Sequence, residues 1–181
     1  MLRTINRAAY GIRLTQMPLA SRTPQWHRFY TKDANNDQIF IHPIANSKFK
    51  VSLSPKDTAL PLGYSKNEKI STTSFDDNDE FLSLLHSNIA LDVHNDFAFI
   101  VEAGTFANSY MPIYDFREIP SYSRVPEVDN IFGYVHVNGD GKIIPGSYEP
   151  NSMYRLCNGA GLPRLSDHIY DLVRQKCETS N

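Results

Sequence analysis

The sequence predicts a single α+β domain, a small, mainly antiparallel sheet covered by two helices, behind an N-terminal segment of different character. Three observations carry this. Sustained helical periodicity occurs near residues 78–91 and 166–177. Elsewhere the apolar residues fall in strand-sized runs separated by Gly, Pro and Asn. Asp and Glu are absent from Met1 through Lys32, after which they outnumber the basic residues.

The acid-free segment carries Arg3, Arg7, Arg13, Arg22 and Arg28 with Ser and Thr between them. At about 100° per residue, Arg3, Arg7 and Arg13 fall on one side of a helix, opposite Ile5, Ala8, Ala9 and Ile12. Residues 1–30 therefore read as a cleaved mitochondrial targeting peptide, with the matrix as destination. Arg28-Phe29-Tyr30-Thr31 resembles the site of the matrix processing peptidase, with the cut after Tyr30. The import receptor and that peptidase are the expected transient partners. The competing reading is a basic, disordered arm. A secretory signal does not fit, because no apolar core of adequate length occurs.

Residues 31–37 are polar and read as a disordered linker, which leaves 38–181 as the domain. Ile39-Phe40-Ile41 and the alternating Phe49-Lys50-Val51-Ser52-Leu53 read as strands. Residues 54–75, rich in Pro, Ser, Lys and Gly, read as an irregular surface segment. Asp77 or Asn78 caps the first helix, Asp79 and Glu80 complement its dipole, and Phe81, Leu84, Leu85, Asn88 and Ile89 follow at helical spacing. Phe97–Glu102 reads as a strand ended by Gly104. Prolines 112, 120 and 126, with Tyr110, Tyr114 and Tyr122, make residues 108–130 an extended strap rather than a helix or central strand. Phe132–Val137 and a strand from Lys142 flank Asn138-Gly139-Asp140-Gly141, the composition of a tight hairpin. Ser166 caps the last helix, whose inner stripe is Ile169, Val173 and Cys177.

Without residues 1–30 the chain keeps thirteen Lys and Arg against twenty Asp and Glu, a net charge of −7. Such a chain is a poor nucleic-acid ligand, since phosphate contacts need cations. RNA binding would require Lys48, Lys50, Lys56, Lys66 and Lys69 on one face. No apolar run reaches the ~20 residues of a transmembrane helix. Cys157 and Cys177 lack paired metal-site spacing and read as reduced thiols.

Asn138–Lys142 lacks the spacing of a phosphate loop, and aligned as a calcium loop it places His136 and Ser147 where carboxylates belong. Asp92, His94 and Asp96 alternate, and would converge on a metal or an acid–base unit only in extended chain; a hydrogen-bonded turn is the simpler reading. Cys157 would need His136 or His168 as a base. The sequence thus assigns no catalytic residue, metal or cofactor. The segment Gly146–Leu156 is polar, aromatic and turn-rich, and Tyr148, Glu149, Tyr154 and Arg155 are its candidate interaction surface.

Leu62-Gly63-Tyr64-Ser65, Phe81–His86, and the run from Ile131-Phe132-Gly133 through Pro145–Pro150 to Tyr154-Arg155-Leu156 resemble a family of uncharacterised fungal mitochondrial proteins. The resemblance covers most of residues 60–176. It implies a mitochondrial location and one intact domain, and carries over no activity. The functional expectation is a non-catalytic matrix protein, an accessory or assembly factor of a larger protein complex. The alternative is a small-molecule-binding domain or enzyme using His94, Asp96 or Cys157.

Overall fold

The computed structural model describes residues 30–45, 47–118 and 125–180. The expected N-terminal amphipathic helix, Arg28, Pro120 and Tyr122 lie outside the described residues. Strands β1 (Thr31–Lys32), β2 (Phe40–Ile44), β3 (Lys48–Ser52), β4 (Gly63–Ser65) and β5 (Phe75–Asp77) form an antiparallel meander in that order. A second antiparallel sheet holds β6 (Tyr110–Tyr114), β7 (Ile131–His136) and β8 (Glu149–Pro150). The helices are α1 (Asp79–Asp92), α2 (Phe97–Ala103) and α3 (Asp167–Thr179). The α+β class is as the sequence predicts, but with two sheets and three helices among the described residues.

Alternation turns Ile39, Ile41, Val51 and Leu53 into the core. Phe40 and His42 on the opposite face of β2 are also buried, because the Tyr30 ring covers them at centroid distances of 5.1 and 5.8 Å. Residues 31–37, expected as a linker, instead belong to the fold. Thr31 and Lys32 pair with Ile41 and Phe40, and the buried Asn36 donates to Pro163 O at 2.9 Å. The segment 54–75, expected to be irregular, contains β4 and the first residue of β5.

The caps work as the sequence indicates. Asn78 accepts from Glu80 N at 3.1 Å and starts α1, which buries Phe81, Leu85 and Ile89. Ser166 caps α3, which buries Ile169, Val173 and Cys177. The two helices pack on each other, and one contiguous core joins them to both sheets. Pro112 lies in β6, an edge strand, where its missing N–H is tolerated. After β7, Asn138 Oδ1 accepts from Asp140 N and Lys142 N at 3.0 and 2.9 Å, and Gly141 takes φ +73°. The expected returning strand is reduced to one bridge, Val137 to Ile143.

The strand expected at Phe97–Glu102 is α2, a correction with a clear cause. Asp96 accepts from Ala98 N at 2.9 Å and caps a helix. A five-residue apolar run has no period of its own, so the cap decides.

Gly133 fixes how β8 sits on β7. A Cβ there would lie 2.2 Å from Glu149 O and 2.8 Å from the Tyr148 ring. Gly133→Ala should therefore destabilise the fold by about 1–3 kcal/mol through overpacking, measured as a lowered urea midpoint. A variant as stable as the parent would show that β8 moves freely.

Candidate functional site

Where β6 ends, Asp115-Phe116-Arg117 runs as a strap, its backbone tied by Asp115 N to Asn130 O at 3.0 Å and Phe116 N to Arg164 O at 2.7 Å. The chain bends over residues 116–118, and Arg117 N donates to Asp115 Oδ1 at 3.2 Å, which brings the two side chains together. Arg117 Nε donates to both Asp115 carboxylate oxygens at 3.0 and 2.9 Å, and Nη2 to Oδ2 at 2.5 Å. Nη2 also reaches Arg155 O at 2.8 Å, and Nη1 reaches Gly161 O at 2.7 Å. The side chains of Arg117 and Asp115 are 2% and 0% exposed, so this is an ion pair out of water.

Tyr154 closes the pair, its hydroxyl donating to Asp115 Oδ2 and accepting from Arg117 Nη2, both at 3.3 Å. Burial, with the Asp115 carboxylate beside it, raises the phenol pKa well above its ordinary value. Phe132 lies 4.7 Å from the Tyr154 ring and His86 approaches it edge-on at 6.3 Å. Tyr148 donates its hydroxyl proton to Phe132 O at 3.0 Å, so the 2.8 Å bond to His86 must be donated by His86 Nδ1. Burial pushes the His86 pKa below 6.5.

The surface proposed from the sequence therefore divides. Tyr154 is buried and Tyr148 half-buried, each held by internal hydrogen bonds. Tyr154 is thus no part of an interaction surface, which corrects that expectation. Glu149 and Arg155 are exposed, and they form no ion pair with each other among the described residues. Of the processing residues, Arg28 lies outside the described residues. Tyr30 rests on Phe40 and His42, and Thr31 pairs with Ile41.

Asp92, His94 and Asp96 do not converge. Asp92 accepts from Asn95 Nδ2 at 2.7 Å and meets His168 Nε2 at 2.6 Å, and these bonds, Asn95 foremost, lower its pKa. Asp96 is buried, capping α2 while its other oxygen accepts from Ser166 Oγ. His94 sits in the turn between the helices with Nδ1 buried and without a partner. Burial raises the Cys157 thiol pKa. Its suggested bases lie elsewhere, His136 tilted against the Tyr110 ring and His168 bonded to Asp92. No cluster of metal-binding side chains occurs among the described residues. Of the lysines an RNA site would need, Lys56 pairs with Glu178 at 2.5 Å and Lys66 with Asp76 at 3.8 Å.

A cavity of about 590 Å³ is lined by Lys32, Lys69, Arg117 and Arg164 together with Asp33 and Glu68. A second, of about 350 Å³, lies between the start of α2 and the start of α3. Neither joins two of His94, Asp96 and Cys157.

The other conspicuous surface is α2 itself. Phe99 and Ala103 face the core, while Phe97, Ile100 and Val101 are 77%, 46% and 63% exposed. These three are spaced i, i+3, i+4 and share one helix face. Leu91, near the end of α1, is 74% exposed. The strand assignment at 97–102 concealed this face. The ion pair was missed as well, although Asp-x-Arg directly after an apolar strand is its sequence signal. No protein-family model, curated protein or solved structure matches this chain.

Arg117→Met leaves Asp115 buried without a counter-charge and should cost about 3–5 kcal/mol. Adding Asp115→Leu should restore part of that loss, because no isolated charge then remains. Urea unfolding of both variants checks this; equal loss in both would show that hydrogen bonds, not charge, dominate.

Because the folded His86 pKa lies below its unfolded value, the unfolded chain takes the proton more readily. The associated stability is complete above pH 6.5 and is lost as pH falls from there through the folded pKa. His86→Gln, which keeps a donor for Tyr148, should flatten the stability profile below pH 6.5. An unchanged profile would place the acid sensitivity in other groups.

Proposed function

We propose that this is a non-catalytic mitochondrial matrix protein, an accessory or assembly factor that docks into a larger complex through the exposed face of α2. One observation carries the reading: Phe97, Ile100 and Val101 project from one side of a short helix instead of entering the core. Apolar side chains gathered in this way mark interaction sites more often than singly scattered ones. The matrix destination rests on the acid-free, Arg-bearing residues 1–32. Exposed Glu149 and Arg155 remain available for peripheral polar contacts.

The test is native size. Tagged protein from gently lysed mitochondria should migrate in a large assembly, and Phe97→Glu with Ile100→Glu should release it as a free, folded species. An assembly unaffected by these substitutions would remove α2 as the docking face. Migration of the parent protein as a free monomer would remove the accessory-factor reading.

A further inference from the structure

We propose that the cavity of about 590 Å³ binds a small organic monocarboxylate, an apolar body ending in a single carboxylate. This site is separate from the α2 face and does not depend on the docking role. Residues 31–36, 68–70, 116–117 and 160–164 converge on it, together with Ile41, Leu162 among them supplying apolar lining and Arg164 a charge. Its volume falls within the ~300–1,000 Å³ of small-molecule sites.

Charge singles the cavity out. Residues 31–181 carry thirteen Lys and Arg against twenty Asp and Glu, yet four of those cations and only two of those acids line it. The four are not equally available. Arg117 is neutralised by Asp115. Arg164 pairs with Asp37 at 3.3 Å, but the two side chains are 49% and 72% exposed, and a pair in that much water is readily exchanged for a ligand. Lys32 donates to the Asp37 carbonyl at 3.1 Å, a neutral acceptor, and keeps its charge. Lys69 has no ion pair among the described residues. Against these three stand Glu68 and Asp33, whose Oδ1 already accepts from Asn35 N and Asn36 N. Three cations less two acids leave one positive charge, which matches a monoanion. A phosphate monoester, at about −1.5 to −2, exceeds it.

Arg117 adds a donor. Each terminal nitrogen of a guanidinium is an –NH₂ group. Nη2 spends its protons on Asp115 and Arg155 O, whereas Nη1 has one acceptor, the carbonyl of Gly161 at 2.7 Å, a residue that also lines the cavity. The other N–H of Nη1 has no acceptor among the described residues, on a side chain only 2% exposed. A buried donor without a partner is costly, and a carboxylate oxygen in the cavity is the acceptor it lacks. Ile41, Ile70, Phe116 and Leu162 are there for the apolar body.

The test is NMR titration of the full-length, isotope-labelled protein with octanoate and phenylbutyrate, each beside the alcohol of the same skeleton, and with inorganic phosphate. Amide shifts should change in the four segments that line the cavity. Each acid should bind at least about tenfold more tightly than its alcohol, a difference of about 1.4 kcal/mol. Lys69→Gln with Arg164→Gln should remove most of that advantage; both side chains are exposed, so the fold is kept. Phe97→Glu with Ile100→Glu should leave it unchanged, which separates the cavity from the α2 face.

Alcohols that bind as tightly as the acids would overturn the charge argument and the proposal with it. Inorganic phosphate binding as tightly as the acids would show an anion site with no use for an apolar body, and would overturn it too. Cavity segments unmoved by every probe at millimolar concentration would remove the site.

Discussion

The buried pair of Asp115 and Arg117 is the interaction on which the rest of this structure depends. Two opposite charges out of water bring little net stability, because desolvation offsets much of their attraction. What this pair supplies is position. The guanidinium is held by both carboxylate oxygens, and its remaining donors hold the carbonyls of Arg155 and Gly161. Residues 154–162 have little ladder of their own, apart from the reciprocal bonds of Asn158 and Gly161. Without Arg117 two of their carbonyls would lose their side-chain donor.

That clamp passes along the chain. The strap fixes Arg164 through Phe116 N, and Gln38 fixes Leu165 by donating to its carbonyl and accepting from its N–H. Ser166 follows, held at the start of α3 with its hydroxyl on Asp96. Asp96 is in turn the cap of α2. A single hydrogen-bonded sequence thus connects Arg117 to the helix that displays Phe97. Side-chain amides take over where strands are short. Asn151 bonds the carbonyls of Val128 and Ile131, and Asn130 and Asn158 bond each other. This is how a chain with two-residue strands satisfies its backbone.

The parts of the fold legible in the sequence were those set by local chemistry. Asn78 and Ser166 announced their helices, and Asn138 to Gly141 announced a turn, because caps and turns act within a few residues. What could not be read was set at long range. Thr31 to Asp37 looked disordered because their partners, Ile41 and Pro163, appear only after folding. Phe97 to Glu102 read as a strand because a short apolar run has no period of its own and Asp96 was not recognised as a cap. Tyr154 looked like surface because Asp115, its acceptor, lies 39 positions earlier in the chain. Of the candidate surface read from the sequence, only Glu149 and Arg155 are exposed as expected.

The exposure of α2 also bears on why the helix exists. Seven residues are too few to form a stable helix by propensity, since nucleation is costly and an isolated helix needs about 12–15 residues. It persists because Phe99 and Ala103 are buried and Asp96 caps it. Phe99 is further held by the Tyr114 and Phe116 rings at 5.9 and 5.8 Å. None of these contacts requires Phe97, Ile100 or Val101 to be apolar. Polar residues at those three positions would serve the helix equally well and lessen the tendency to aggregate. The apolar face is therefore not a by-product of folding. Its rationale lies outside the contacts that hold the helix in place.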